Sequence, residues 1–143
     1  MEHIRAPETA DDYALVGELL TAPDVKKWLS SEWRNDDVDP TILATLACRN
    51  RRNKIFFVLD DDKKPCGIVG LADIDPDGSA NWWGAMANVK VRGKGLMSRA
   101  SAELIDHAFN DLGMQQLHGW FMEHNDPCRK LCERMGFKPA GVL

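Results

Sequence analysis

The sequence predicts an α+β domain, a sheet packed on helices, and three observations carry that expectation. Apolar runs of strand length alternate with stretches whose apolar residues recur at helical spacing. Turn-forming clusters separate them, the clearest being Asp75-Pro76-Asp77-Gly78. A segment rich in glycine and cations, Val89-Lys90-Val91-Arg92-Gly93-Lys94-Gly95-Leu96-Met97, hands one apolar run over to the longest helical pattern.

Ile4 and Arg5 begin a short strand that Pro7 ends. Thr9 and Asp12 form a capping pair for a helix whose apolar face is Tyr13, Val16, Leu19 and Leu20. Pro23 ends or restarts it, and Val25, Trp28 and Leu29 lie on one helical face before a polar loop from Ser30 to Asp39. Asp39-Pro40 starts the next helix, with Asp as cap and Pro in the first turn, and Ile42, Leu43, Leu46 and Ala47 continue it. Arg49, Arg51, Arg52 and Lys54 suit a solvated helix C-terminus. The other reading of these cations is contact with an acidic substrate or a cofactor phosphate.

Ile55–Leu59 and Cys66–Ile74 are strands of buried type, and Ala80–Val89 returns from the Asp75–Gly78 turn as a third. Adjacent Trp82 and Trp83 face opposite sides of that strand. With Trp28 and Trp33 they are candidates for lining an acceptor pocket. Leu96–Leu112 is a long helix with Met97, Ala100, Leu104, Ala108 and Leu112 along one stripe, Ile105 and Phe109 beside it, and Gly113 as its stop. Gln115–Met122 is a strand. Asn125 or Asp126 caps a last helix, whose core stripe is Cys128, Leu131, Cys132 and Met135, and Gly136 ends it before a short strand at Phe137–Leu143.

The 143 residues make one domain, spanning 1–143. A chain of this size buries about two-thirds of the surface it exposes when unfolded. A net charge of −4 disfavours general nucleic-acid binding. No apolar run approaches the roughly twenty residues of a membrane span, and the N-terminus has no apolar signal core. Cys48, Cys66, Cys128 and Cys132 show no secreted-type framework, so a reduced, cytoplasmic setting is expected.

The Arg92–Met97 turn is a physical device for holding phosphate. Glycines let backbone approach, helix-start N–H groups point at the anion, the helix dipole adds to them, and Arg92 and Lys94 add full charge. It is neither a Walker loop, which needs an upstream glycine missing here, nor the G-x-G-x-x-G pattern, since Ser98 stands at the third glycine. Zinc is not expected: His124, Cys128 and Cys132 span more than two helical turns, and His124 precedes the cap, although His118 is near.

The turn Arg92-Gly93-Lys94-Gly95-Leu96-Met97 resembles the R/Q-x-x-G-x-G/A acetyl-CoA loop of the GNAT acyltransferase superfamily. Asn125 through Phe137 resembles that family's N-x-x-A-x-x-L-Y-x-x-x-G-F helix. The resemblance covers Ala80 to Phe137 well, and the N-terminal part only in its order of elements. It implies an α+β, three-layer fold of the acyl-CoA N-acyltransferase type. The sheet would be mixed and mostly antiparallel, splayed between Ala80–Val89 and Gln115–Met122, with helices on both faces. The family's usual last strand is missing, so that edge is open or covered by a homodimer partner.

The resemblance also implies acetyl-CoA as co-substrate. It assigns the cofactor to Val89, Val91, Arg92, Gly93, Lys94, Gly95, Leu96, Met97 and Ser98, with Asn125 on the pantetheine arm. Asn125 reads equally as a helix cap. Met97 replaces the final Gly/Ala and is expected to narrow the room near the phosphates. Cys132 stands where the family often has Tyr, proposed there to protonate the leaving thiolate; a thiol can donate a proton, yet a small residue in a core stripe needs no catalytic role. Asp73, Asp75, Glu123 and His124 are the candidates for general base, and each also reads as a turn or surface residue.

The implied activity is N-acetyl transfer from acetyl-CoA directly to a primary amine of a small molecule or peptide N-terminus. Two other readings stand beside it. One is a catalytically degenerate acyl-CoA-binding module with a regulatory or partner-binding role. The other is a nucleotide-binding domain using Arg92–Ser98.

Overall fold

The computed structural model of the chain describes residues 2–21, 39–86, 95–119 and 126–139. Its elements run β1 (Ile4–Arg5), α1 (Ala10–Thr21), α2 (Pro40–Arg49), β2 (Lys54–Leu59), β3 (Pro65–Ala72), β4 (Ser79–Met86), α3 (Leu96–Asn110), β5 (Gln116–Gly119) and α4 (Asp126–Arg134). The strands form one sheet in the order β1-β2-β3-β4-β5. The first three pairings are antiparallel. β4 and β5 are parallel, in register from Ser79↔Gln116 to Trp82↔Gly119. The sheet is therefore mixed and mostly antiparallel, as expected.

β2 and β3 are apolar on both faces because both faces are covered. Phe56, Val58, Val69, Leu71, Ala80 and Trp82 pack with α3 and α4, whose Leu96, Ala100, Leu104, Ala108, Leu131 and Cys132 complete that layer. Ile55, Phe57, Leu59 and Ile68 pack on the other side with Val16 and Leu20 of α1 and Ala44 of α2. The period-two alternation within Ile55–Leu59 divides the two layers. Adjacent Trp82 and Trp83 divide likewise: Trp82 is buried under α3 and α4, while half-buried Trp83 belongs to the α1/α2 layer. There its ring lies over Gly70, where a Cβ would come within 2.9 Å of it.

Local chemistry starts and stops the helices. Asp12 N donates to Thr9 Oγ1 at 3.1 Å while Thr9 N donates to Asp12 Oδ2 at 3.2 Å, a reciprocal cap for α1. Asp39 Oδ1 accepts from Thr41 N at 2.8 Å, with Pro40 opening α2. Gly113 at φ 71° and Gly136 at φ 86° end α3 and α4 in the left-handed conformation expected of them. In the β3–β4 hairpin, Gly78 N donates to Asp75 O at 2.9 Å and Ser79 N to Asp77 Oδ1 at 2.8 Å. Gln115 N then donates to Gly78 O at 2.7 Å, which ties the hairpin to the approach to β5.

Two expectations are corrected. Phe109 is 42% exposed and does not join the core side of α3. The buried stripe through Ala100, Leu104 and Ala108 turns the next residue about 100° away from the sheet. Of the strand expected at Phe137–Leu143, Phe137–Pro139 carry none and residues 140–143 lie outside the described residues; Phe137 N instead donates to Cys132 O at 3.0 Å and closes α4. The expected helical face at Val25–Leu29, most of the Ser30–Asp39 loop, Trp28, Trp33 and the far ends of the strands at Val89 and Met122 lie outside the described residues. Among the described residues no helix is long and apolar enough to cross a membrane.

Candidate active site

The start of α3 is built to present bare N–H groups. Gly95 is the N-cap, at φ 75° and ψ 10°, and no side chain caps the helix. The first intrahelical bond is Arg99 N to Gly95 O at 3.0 Å, so the N–H groups of Leu96, Met97 and Ser98 are not used by the helix ladder. A Cβ at Gly95 would meet nothing within 4 Å, so this backbone faces open space. The first turn holds no carboxylate to compete with an incoming anion. Together these features fit a phosphate group.

The side chains behind that surface turn the other way. Leu96 is buried in the α3/α4 layer. Met97 sends its thioether to β4, where a Cβ on Gly84 would lie 2.9 Å from Met97 Sδ. The bare strand position at Gly84 gives the long side chain a place to go. Met97 therefore packs over β4 at Gly84.

Below this lies the junction of β4 with β5. Trp82, 2% exposed, pairs with Gly119 and stacks at a tilt on Phe137 with ring centroids 5.6 Å apart. β4 runs on past this pair to Met86. The indole Nε1 of Trp82 and the Oγ of Ser101 are both buried and have no hydrogen-bond partner among the described residues. A polar group left so is costly, about 1–3 kcal/mol.

Cys132 and Cys128 share the buried face of α4. They interact as neighbouring thiols one turn apart. The hydrogen bond with Cys128 makes the Cys132 thiol easier to ionise than usual, against the opposing effect of burial. The same hydrogen bond, and then burial, push the Cys128 thiol far up. Cys48 and Cys66 are raised to about 11, in both cases by burial first. They are inert packing thiols.

Asp73 sits at the end of β3 with φ 52°, exposed, and accepts from Asn81 Nδ2 at 3.1 Å. Asp75 spends Oδ1 on Asp77 N at 3.1 Å inside the hairpin turn. Ala72 pairs with Asn81, whereas Met97 reaches β4 at Gly84, so Asp73 lies further back along the sheet than the helix start. Val89, Val91, Arg92, Gly93, Lys94, Glu123, His124 and Asn125 lie outside the described residues. The structure thus sets Gly95, Leu96, Met97 and Ser98 at one helix start, Cys132 in the same layer as Leu96, and Asp73 further back along the sheet. Sequence reasoning did not single out Gly84; the pairing of a large residue at 97 with glycine on the preceding strand is a signal visible only once the register is known.

This architecture is shared with N-acetyltransferases of known structure. Spermidine N-acetyltransferase from Vibrio cholerae, in complex with CoA and spermine, superposes with a TM-score of 0.80 at 21% identity, over 98% of this chain and 82% of that one. Spermidine/spermine N-acetyltransferase SpeG from the same organism, in complex with manganese ions, gives 0.74 at 22% identity, over 98% and 79% of the two chains. The fold is therefore that of the N-acetyltransferases. The chain belongs to the GNAT acetyltransferase family, whose domain model, Acetyltransferase (GNAT) domain, matches residues 3–138. Nothing among the curated protein sequences matches it.

Proposed function

We propose that this chain transfers an acetyl group from acetyl-CoA directly to a primary amine of a small molecule or peptide N-terminus. The observation that carries the reading is the start of α3: an uncapped helix opening on a left-handed glycine in open space, following the strand that forms the parallel pair of the sheet. Acetyl-CoA, when bound, supplies an acetyl carbon activated as a thioester. In the proposal, the N–H groups of Leu96, Met97 and Ser98 hold the pyrophosphate, together with Arg92, Gly93 and Lys94 and the backbone at Val89 and Val91. Asn125 orients the pantetheine arm. Such positioning supplies much of the rate.

The amine must be neutral to attack the carbonyl carbon, and as the C–N bond forms the C–S bond breaks. The departing sulfur needs a proton, and Cys132 is the proposed donor, held in place by the packing of α4. Asp73, Glu123 and His124, directly or through water, are the candidates to take the proton that the amine loses. The structural neighbour bound to spermine makes a polyamine the first acceptor to try.

A second reading, CoA binding without transfer, rests on Cys132 standing in a buried stripe where the family often carries Tyr. Thiol release from acetyl-CoA, measured across an amine panel led by spermidine and spermine, separates the two. Turnover on any amine supports transfer. Calorimetric binding of CoA with no turnover favours the silent module, and neither binding nor turnover ends both readings.

A further inference from the structure

On the opposite face of the sheet from α3, a cavity of about 300 Å³ opens between the end of β1, helix α1, the end of α2 and the start of β2. Its walls include Arg49 and Arg51, with Tyr13 and Asn53, and among the described residues no Asp or Glu lines it. In a chain of net charge −4 that is a local concentration of cations. Among the described residues neither arginine has an ion-pair partner.

The usual occupations of such side chains are already filled by others. Basic residues after a helix commonly cover its last carbonyls. Here Ala47 O accepts from Asn53 Nδ2 at 3.1 Å and from Asn50 N at 3.3 Å, and Leu46 O accepts from Asn50 N at 3.1 Å. Asp12, the carboxylate on the neighbouring helix, is taken by Arg5 at 3.0 Å and by the N–H groups of Glu8 and Thr9. Arg52, another cation of the run, points elsewhere and donates from Nε to Ile74 O at 3.3 Å. Asn50 holds the loop's shape by accepting from Arg52 N at 2.9 Å. Two arginines are thus left around a concavity on a braced turn, and the volume is that of a small-molecule site.

We infer that this cavity binds a small polyanion, a molecule carrying two or more negative charges as phosphate or carboxylate, through Arg49 and Arg51. Guanidinium groups match the geometry of both anions by paired N–H donors. The site is separate from the helix start proposed for the cofactor, since it lies in the α1/α2 layer with Ile55 and Cys48.

Pyrophosphate and citrate are the probes, titrated calorimetrically into the full chain, with amide chemical shifts followed in parallel. Saturable binding is expected for at least one probe, with shifts concentrated at residues 48–55 and affinity falling as salt is added. Arg51→Gln should weaken it about tenfold, the effect of losing one hydrogen bond to a charged group. Arg49→Gln/Arg51→Gln should abolish it with little change in melting temperature, because both side chains are exposed. Pyrophosphate alone binding assigns a phosphate ester, and citrate alone assigns a carboxylic acid. The inference is overturned if neither probe saturates at millimolar concentration, if the double variant binds as the parent does, or if the shifts fall at Gly95–Ser98. The shift map on the parent chain decides the matter even if a variant does not fold.

Discussion

At the scale of single residues, Cys132 makes the most exposed claim. As the proposed proton donor it must enter the reaction protonated, and its hydrogen bond with Cys128 lowers the pH at which it loses that proton. Activity should therefore decline as pH rises through a value below the ordinary thiol range. Cys128→Ala removes the stabilising thiol and should move that alkaline limb upward. Cys132→Ala should cut kcat by about a hundredfold or more, the scale of a lost general acid. Activity within a few fold of the parent would reduce Cys132 to packing. Asp12 illustrates a charge with a structural task. The Arg5 guanidinium, and then backbone N–H groups, hold its carboxyl well below the usual range. A depressed carboxyl stabilises the fold above its ordinary pKa and loses that contribution as pH falls below it. Asp12→Asn should then cost about 1 kcal/mol near neutral pH, and denaturant titrations should show the difference shrinking in acid.

At the scale of elements, two glycines do different work and should fail differently. Gly95 needs its backbone: at φ 75° an L side chain is strained, although a Cβ would meet nothing. Gly95→Ala should lower stability by about 1–2 kcal/mol through conformation alone and disturb the N–H groups that follow. Gly17 needs its missing side chain: a Cβ there would lie 2.6 Å from Pro40 O, where α1 and α2 touch. Gly17→Ala should cost about 1–3 kcal/mol by prying the helices apart, with CoA affinity unchanged. Melting curves read beside CoA titrations distinguish the two. Cap and turn chemistry at this scale was legible in the sequence. Thr9 with Asp12, Asp39-Pro40 and Asp75–Gly78 make their hydrogen bonds within a few residues, so the letters already contain both partners. The stripe of α3 was legible for the same reason, except at Phe109, where periodicity alone overestimated the width of the buried face.

For the whole molecule, the proposed cofactor ties stability to function. A ligand that binds only the folded chain stabilises it by about 2.7 kcal/mol at a hundred times its Kd. For a domain of this size CoA at that concentration should raise the melting temperature by roughly 8 °C. Scanning calorimetry with and without CoA checks it, and an unchanged transition would count against a CoA site anywhere on the chain. The N-terminus takes part in this cooperative unit through long-range ties, one of them from Lys63 Nζ to Glu2 O at 2.7 Å. Glu103 on α3 accepts from Glu2 N at 2.7 Å and His3 N at 2.6 Å, holding β1 to the helix that begins at the proposed site.

The sequence by itself determined the alternation of elements, their caps and stops, the antiparallel hairpin, and the pair of motifs that identify the family. Each depends on spacing within a turn, a strand or a helix. Tertiary structure decided which of Trp82 and Trp83 lies under α3, where the Met97 side chain goes, and that Arg49 and Arg51 line a common cavity while Arg52 does not. Those outcomes depend on register and on which face a neighbouring helix covers. They are settled by residues far apart in the chain, which local periodicity does not relate to one another.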